Sequence, residues 1–149
     1  MKKIASLMFA AMAFSVFASE EAGTIKSVKG SVTVERAGQK QPATPGLKVN
    51  AADRVVTGPD GSVGIMLRDN TMLSAGPNSV LGLDKFAFDS ATGAGKLDAS
   101  LKRGSLSVIS GKIAKSNPDA MRFRTPSVTL GVRGTEFVIE ASGEEEARD

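Results

Sequence analysis

Histidine and cysteine are absent from the 149 residues of this chain, which limits the chemistry its side chains can perform. Ser-His-Asp and Cys-His triads, histidine-ligated zinc and the usual base near neutral pH all require one of these residue types. The remaining candidates are carboxylates, which act in pairs in glycoside hydrolases, and arginines, which bind anionic groups.

The acidic residues mostly lie beside predicted turns. Asp60, Asp69, Asp84 and Asp89 each neighbour a glycine, proline, asparagine or serine, or stand at a predicted strand end. Aspartate is favoured at such positions because its side chain hydrogen-bonds the local backbone. Calcium bound in a loop is the alternative left open, although no regular Asp-x-Asp spacing occurs. We therefore predict a protein that is not an enzyme and has no catalytic residues, no cofactor and no metal site.

Arginines are the candidate binding residues. Arg122 and Arg124 alternate with Phe123, so both are expected on one face of a strand, opposite the phenylalanine. Together with Lys102 and Arg103 they could form a small basic patch, but nothing in the sequence brings the two pairs together. The patch is interpreted either as an ordinary solvated face or as a surface for an anionic glycan or lipid.

Arg133 is the other candidate, because it stands close to Gly131 and Gly134, where missing side chains allow close backbone approach. Its guanidinium could be presented to an acidic group of a partner. The favoured interpretation is an internal salt bridge, for instance to Asp53 or Glu136, that fixes the last strand.

β-Strands must position these residues, since short β-branched stretches alternate with turn residues along the chain. Apolar positions alternate at residues 32–34, 63–67, 97–101 and 106–108, each bounded by turn signals. Strands recurring at roughly ten-residue spacing predict one all-β domain of many short strands, either a β-sandwich or a β-helix-like roll. Residues 113–121 are expected to form a single helical turn or a loop.

Two changes of side-chain parity predict bends in the sheet. The apolar alternation that ends at Leu83 has the opposite parity to the one that starts at Phe86, and residues 128–132 differ in the same way from Phe137. Because a one-residue slip turns every following side chain to the other face, a bulge is expected in both places. Gly134 is placed to form the second bulge.

The amino terminus has the layout of a secretory signal peptide. Lys2 and Lys3 precede an apolar run over residues 4–17, which is shorter than the ~20 residues that a membrane-spanning helix needs. We expect residues 1–18 to be cleaved, residues 19–142 to form the domain and residues 143–149 to be a charged, flexible tail. The mature protein is then periplasmic, with secretion as the alternative, and has no membrane span.

Cleavage would also change the charge. Removing Lys2 and Lys3 from the 19 basic residues leaves 17 against 16 acidic residues, a net charge of +1. The mature chain has no Trp or Tyr to stack on bases and no dense basic cluster, so nucleic-acid binding is not expected. Without cysteine, the core must stabilise the fold unaided by disulfides.

Several segments in a fixed order resemble the FecR domain family. They span most of residues 24–140, and the most specific is the run at residues 128–138. The segments are residues 30–34 (GSVTV), 54–62 (RVVTGPDGS), 67–71 (LRDNT), 76–79 (GPNS), the strand at Gly104, residues 125–126 (TP) and residues 128–138 (VTLGVRGTEFV). In the last segment Gly131, Gly134, Thr135 and Phe137 match the family pattern, and we interpret them as structural.

The resemblance implies an all-β periplasmic domain, best known from regulators that relay an iron-siderophore signal to a sigma factor. Those regulators add a cytoplasmic anti-sigma segment, a transmembrane helix and a receptor-contacting domain. Here a signal peptide stands in place of the first two and the chain ends just past the last segment, so the relay is not carried over. We expect a module that binds an unidentified envelope protein or polymer. The alternative is a protein that binds or acts on envelope carbohydrate.

Overall fold

Twelve strands pair into one curled sheet in the computed structural model, which describes residues 21–131 and 136–142. The predicted all-β fold is confirmed. The strands are β1 (Glu21–Lys29), β2 (Val32–Arg36), β3 (Gln39–Pro42), β4 (Lys48–Asn50), β5 (Arg54–Thr57), β6 (Ser62–Leu67), β7 (Met72–Ala75), β8 (Val80–Phe88), β9 (Gly95–Ile109), β10 (Met121–Arg124), β11 (Thr129–Gly131) and β12 (Glu136–Ala141).

Strand β9 connects the two halves of the sheet. The main path runs in the order β3-β2-β5-β8-β9-β7-β6-β1-β4. Residues 95–103 of β9 pair with β8, and residues 106–109 pair with β7. On its other edge β9 pairs with β10 and β12, and β11 extends β10. Among the described strands only β9 and β10 are parallel, so the parallel coil of a β-helix is not formed.

A glycine in a left-handed backbone conformation bends β9 where the strand passes from one half of the sheet to the other. Gly104 has a φ of +95°, and a Cβ there would overlap Ser79. Ser79 is buried, and its hydroxyl accepts a hydrogen bond from the backbone N–H of Ser105 at 3.1 Å. Only glycine combines this conformation with so close a contact. The turn signal at Gly104 therefore marks a bend inside one strand, where the sequence suggested a boundary between two.

The first predicted change of parity is confirmed. The pairing of β8 with β9 shifts register between Gly82 and Lys85, so one face carries Leu83 before the shift and Phe86 after it, and both are buried. The second change of parity falls at Gly134, which lies outside the described residues.

Residues 112–120 form two short helical segments. The helix α1 (Lys112–Ser116) is followed by a 3-10 turn over Pro118–Ala120. Buried Asp69 holds α1 in place, since its Oδ2 accepts hydrogen bonds from the Thr71 hydroxyl at 2.7 Å and from the Ile113 N–H at 3.3 Å. This agrees with the interpretation of Asp69 as a residue of local structure.

The core is mostly aliphatic, with Phe86 and Phe123 as its buried aromatic residues. Its largest fully buried side chains come from both halves of the sheet and include Ile25, Ile65, Leu81, Leu101 and Leu106. One continuous apolar cluster therefore stabilises the whole described chain. Neither helical segment of that chain has the length and hydrophobicity needed to cross a membrane.

Candidate anion-binding groove

A row of cross-strand neighbours places two arginines on either side of two small residues. Arg54 of β5 is paired with Gly82 of β8, Gly82 with Ser100 of β9, and Ser100 with Arg124 of β10. Strands lie ~4.8 Å apart, so the backbones of Arg54 and Arg124 are separated by about 14 Å. Both arginines are exposed: Arg54 precedes buried Val55 on β5, and Arg124 follows buried Phe123 on β10. The Ser100 hydroxyl and the Asp84 carboxylate lie over Gly82, where an added Cβ would meet them at 2.7 and 3.0 Å.

Arg54, Ser100 and Arg124 of this row line an open groove of about 740 Å³. Four of its lining residues are cationic. The described residues that line it are Arg54, Val80, Ser100, Leu101, Lys102, Arg103, Arg124, Thr125, Pro126 and Ser142. We call this feature the basic groove.

A bulge in β9 brings Lys102 and Arg103 to the groove. Strict alternation would turn one of two consecutive residues into the core. The register with β8 instead runs from Val80 paired with Arg103 to Leu81 paired with Leu101, which leaves Lys102 as the additional residue. Both Lys102 and Arg103 are consequently exposed. The parallel pairing of β10 with β9 then places Arg124 near them, a contact that the sequence could not supply.

Three of the four groove cations form no salt bridge in the described chain, although Glu35 is the cross-strand neighbour of Arg54. These cations are Arg54, Lys102 and Arg103, and no acidic residue among the described residues lines the groove. Asp84 stands beside the floor, where its Oδ1 accepts a hydrogen bond from the Ser100 hydroxyl at 3.3 Å. Several cations that converge in a concave surface create a positive potential that attracts anionic groups.

Asp98 positions Arg124 at the wall of the groove. Its side chain is only 4% exposed, and its Oδ2 lies 3.6 Å from Arg124 Nη2 and 3.8 Å from Lys96 Nζ. Its Oδ1 has no hydrogen-bond partner among the described residues. Leu97 and Ala99 on either side face the core, so Asp98 lies on the opposite face, beneath basic side chains. It is a buried carboxylate that restrains one of the groove arginines.

Arg122 lies on the same exposed face of β10 as Arg124, opposite buried Phe123. It pairs in register with Asp98 and with Gly131, and it is not among the residues that line the basic groove. Arg122 and Arg124 thus share one strand face, as expected, but only Arg124 lines the basic groove. Arg124 belongs with Lys102 and Arg103, and Arg122 does not.

Some residues of the family-pattern segment lie outside the described chain. These are Arg133, Gly134 and Thr135, so their roles stay predictions. Phe137 is half-buried and packs edge-on against Phe123, with ring centroids 5.5 Å apart and planes at 76°. Gly131 is exposed, and a Cβ there would meet no atom within 4 Å.

Asp53, considered as a partner for Arg133, is bound by a different arginine. Arg36 donates from Nε to Asp53 Oδ1 at 2.9 Å and from Nη2 to Oδ2 at 2.7 Å. The backbone N–H of Asn50 donates to the same Oδ2 at 2.8 Å. The hydrogen bond with Asp53 raises the pKa of Arg36, burial lowers it by a smaller amount, and Coulomb attraction to Asp53 raises it further. This pair joins β2 to the loop before β5.

Sequence reasoning did not single out Arg54, Gly82, Ser100 or Asp98. Alternation alone could have placed Arg54 opposite Val55 on an outward face. Only the strand order, which no local pattern reveals, brings Arg54 into line with Ser100 and Arg124. The burial of Asp98 had no sequence signal, because an acidic residue in an alternating strand normally indicates a solvated face.

Comparison with known proteins gives one result. The model of the family described as FecR protein matches residues 53–147, which is more than half of the chain. No curated protein and no solved structure matches it. The matched span contains all four cationic residues of the basic groove.

Proposed function

The chain belongs to the FecR protein family, and on this basis we propose that it is an interaction module of the bacterial cell envelope that acts by binding. Family membership indicates a module related to envelope signalling. The proposal adds that export through residues 1–18 delivers the domain to the periplasm, and that its partner there carries anionic groups.

The observation that carries this proposal is the set of three groove cations that form no salt bridge within the described chain. They are Arg54, Lys102 and Arg103, which converge in the basic groove. A single exposed ion pair contributes only about 0.2–1 kcal/mol. Several such pairs in one groove would give a partner both affinity and a defined orientation.

Binding is preferred over catalysis because of the residue types available. The chain has no histidine or cysteine to act as base or nucleophile. Three carboxylates of the described chain lie near the groove: Asp98 is buried beside Arg124, Asp84 accepts a hydrogen bond from Ser100, and Glu35 is the cross-strand neighbour of Arg54. None of them lines it. The groove thus offers cations for recognition and no paired carboxylates for hydrolysis.

The carbohydrate alternative receives less support. Sugar-binding sites commonly use exposed aromatic rings as platforms. In the described region Phe86 and Phe123 are buried, and Phe88 and Phe137 are half-buried. The basic groove has no aromatic residue among its described lining.

Capture from envelope extract tests the proposal. The exported protein is immobilised beside two variants with the same change in charge, Arg54→Ala/Arg103→Ala in the groove and Lys26→Ala/Arg122→Ala outside it. We expect a partner that wild type and the second variant retain, that the first variant loses, and that elutes as salt is raised. Equal capture by both variants would contradict the groove as the binding surface.

Arg133→Ala provides a separate arm of the same experiment. If this variant alone loses the partner, the family-pattern segment, and not the basic groove, is the binding surface. If it retains the partner, Arg133 is left with a structural role.

A further inference from the structure

We propose that the acidic run at residues 144–146 (EEE) binds in the basic groove and competes there with external anionic partners. This rests on the proposed function, because it takes the groove to be an anion-binding site. The occupant is thus a segment of the same chain, and its chemistry is that of a cluster of carboxylates.

The covalent connection is the first argument. Ser142 is the last described residue of the chain, and it lines the basic groove together with Arg103 and Arg124. The sequence continues from it with Gly143 and then three consecutive glutamates. The acidic run is therefore attached at the wall of the groove itself.

Reach and charge are the second argument. Glu146 is four residue steps along the chain from Ser142, which allows a span of up to about 14 Å. That equals the separation of about 14 Å between the strands of Arg54 and Arg124. Three glutamates match the three groove cations, Arg54, Lys102 and Arg103, that have no acidic partner in the described chain.

Tethering makes even weak contacts effective. A short link gives the attached segment an effective concentration on the order of millimolar. Exposed carboxylate-guanidinium pairs are individually weak, so the run would be displaced by a partner that makes more contacts. The acidic run would then raise the threshold for binding and favour partners of higher charge density.

Zero-length carbodiimide cross-linking tests the contact directly. This reagent joins a carboxylate to an amine only where the two groups touch, and Lys102 supplies the one amine among the described lining residues. In the full chain, purified after export, we expect a cross-link between residues 144–146 and Lys102 that raised salt suppresses. Lys102→Arg should abolish it, since the charge remains and the amine is lost. Absence of this cross-link at low salt would overturn the proposal.

Affinity for an external polyanion is the second measurement. The probe is a fluorescein-labelled hexaglutamate peptide. Glu144→Gln/Glu145→Gln/Glu146→Gln should bind it about three- to tenfold more tightly than wild type, because the internal competitor is weakened. The control is Glu21→Gln/Asp119→Asn/Glu136→Gln, which removes the same charge at exposed positions outside the groove and should match wild type. Equal affinity of both variants would overturn the proposal.

These outcomes separate this inference from the proposed function. If the peptide binds wild type and the residue 144–146 variant equally, the groove binds anions but the acidic run is not its occupant. If the Lys102 cross-link forms while neither wild type nor the residue 144–146 variant captures an envelope partner, the run occupies the groove and the proposed interaction module is wrong.

Discussion

Arg36 and Asp53 form a two-point hydrogen-bonded ion pair, with Nε 2.9 Å from Oδ1 and Nη2 2.7 Å from Oδ2. The aspartate side chain is 1% exposed, whereas the arginine side chain is 37% exposed. The pair thus connects a buried carboxylate to a side chain that is partly solvated. Its loss would leave Asp53 with the Asn50 N–H as its remaining donor.

Arg36→Met should lower the free energy of unfolding by about 2 kcal/mol, because a buried carboxylate loses its charged partner. Urea denaturation measures the change. Arg122→Met is the matched control, since Arg122 is exposed and has no salt bridge within the described chain, and it should change stability by less than about 0.5 kcal/mol. Equal midpoints for the two variants would contradict a stabilising pair.

Arg36→Lys should make stability depend on alkaline pH. Asp53 raises the pKa of Arg36, so the arginine's contribution is complete up to the ordinary pKa of an unfolded arginine and is lost only above it. Lysine has an ordinary pKa of about 10.4, so its contribution should decline as pH rises beyond that value. The difference in unfolding free energy between wild type and variant should be constant below about pH 10 and widen between about pH 10 and pH 12. A constant difference would show that the charge at position 36 does not act through Asp53.

Gly104→Ala should destabilise the protein by about 3 kcal/mol, since the new Cβ would overlap Ser79 while the backbone keeps a positive φ. Gly131→Ala is the control, because nothing lies within 4 Å of a Cβ there. Thermal unfolding should separate the two variants clearly. Similar melting temperatures would mean that the bend in β9 does not depend on glycine.

Phe137→Ala should cost about 2 kcal/mol through the loss of its edge-on contact with Phe123 and of part of the core. Its neighbour Val138 is 63% exposed on the opposite face, so Val138→Ala should be nearly neutral. Chemical denaturation of both variants measures this contrast. If Phe137→Ala is also neutral, the structural interpretation of Phe137 is wrong.

Ser100→Leu should block the floor of the basic groove without unfolding the protein. The larger side chain would project between Arg54 and Arg124, and affinity for hexaglutamate should fall at least about fivefold, equivalent to about 1 kcal/mol. Ser107→Leu enlarges an exposed serine on the same strand beyond the bend and should bind like wild type. Loss of binding in both variants, or in neither, would contradict the location of the site.

The sequence predicted the strands well because each alternation has a local cause. The turn residues at 58–61 and the parity change between Leu83 and Phe86 could be read directly, and both correspond to observed features. Gly104 was located correctly but interpreted as a strand boundary, since a glycine that ends a strand and one that bends it look alike in a single sequence.

The basic groove could not be predicted, because it depends on strand order. Lys102, Arg103 and Arg124 were all candidates, yet they are brought together by a bulge and by the parallel pairing of β10 with β9. Arg54 reaches them only through β8, which lies between β5 and β9. Such non-local pairings leave no periodic signal along the chain.

Because β9 supplies hydrogen bonds to both halves of the sheet, the two halves are expected to unfold as one cooperative unit. A ligand bound above Ser100 would stabilise the folded state as a whole, by linkage. Amide hydrogens that exchange through global unfolding should then become more slowly exchanging even in β1 and β6, which lie in the other half of the sheet. Since β9 is one strand on both sides of the bend at Gly104, occupancy of the groove should be detectable in the half of the sheet that lies away from it.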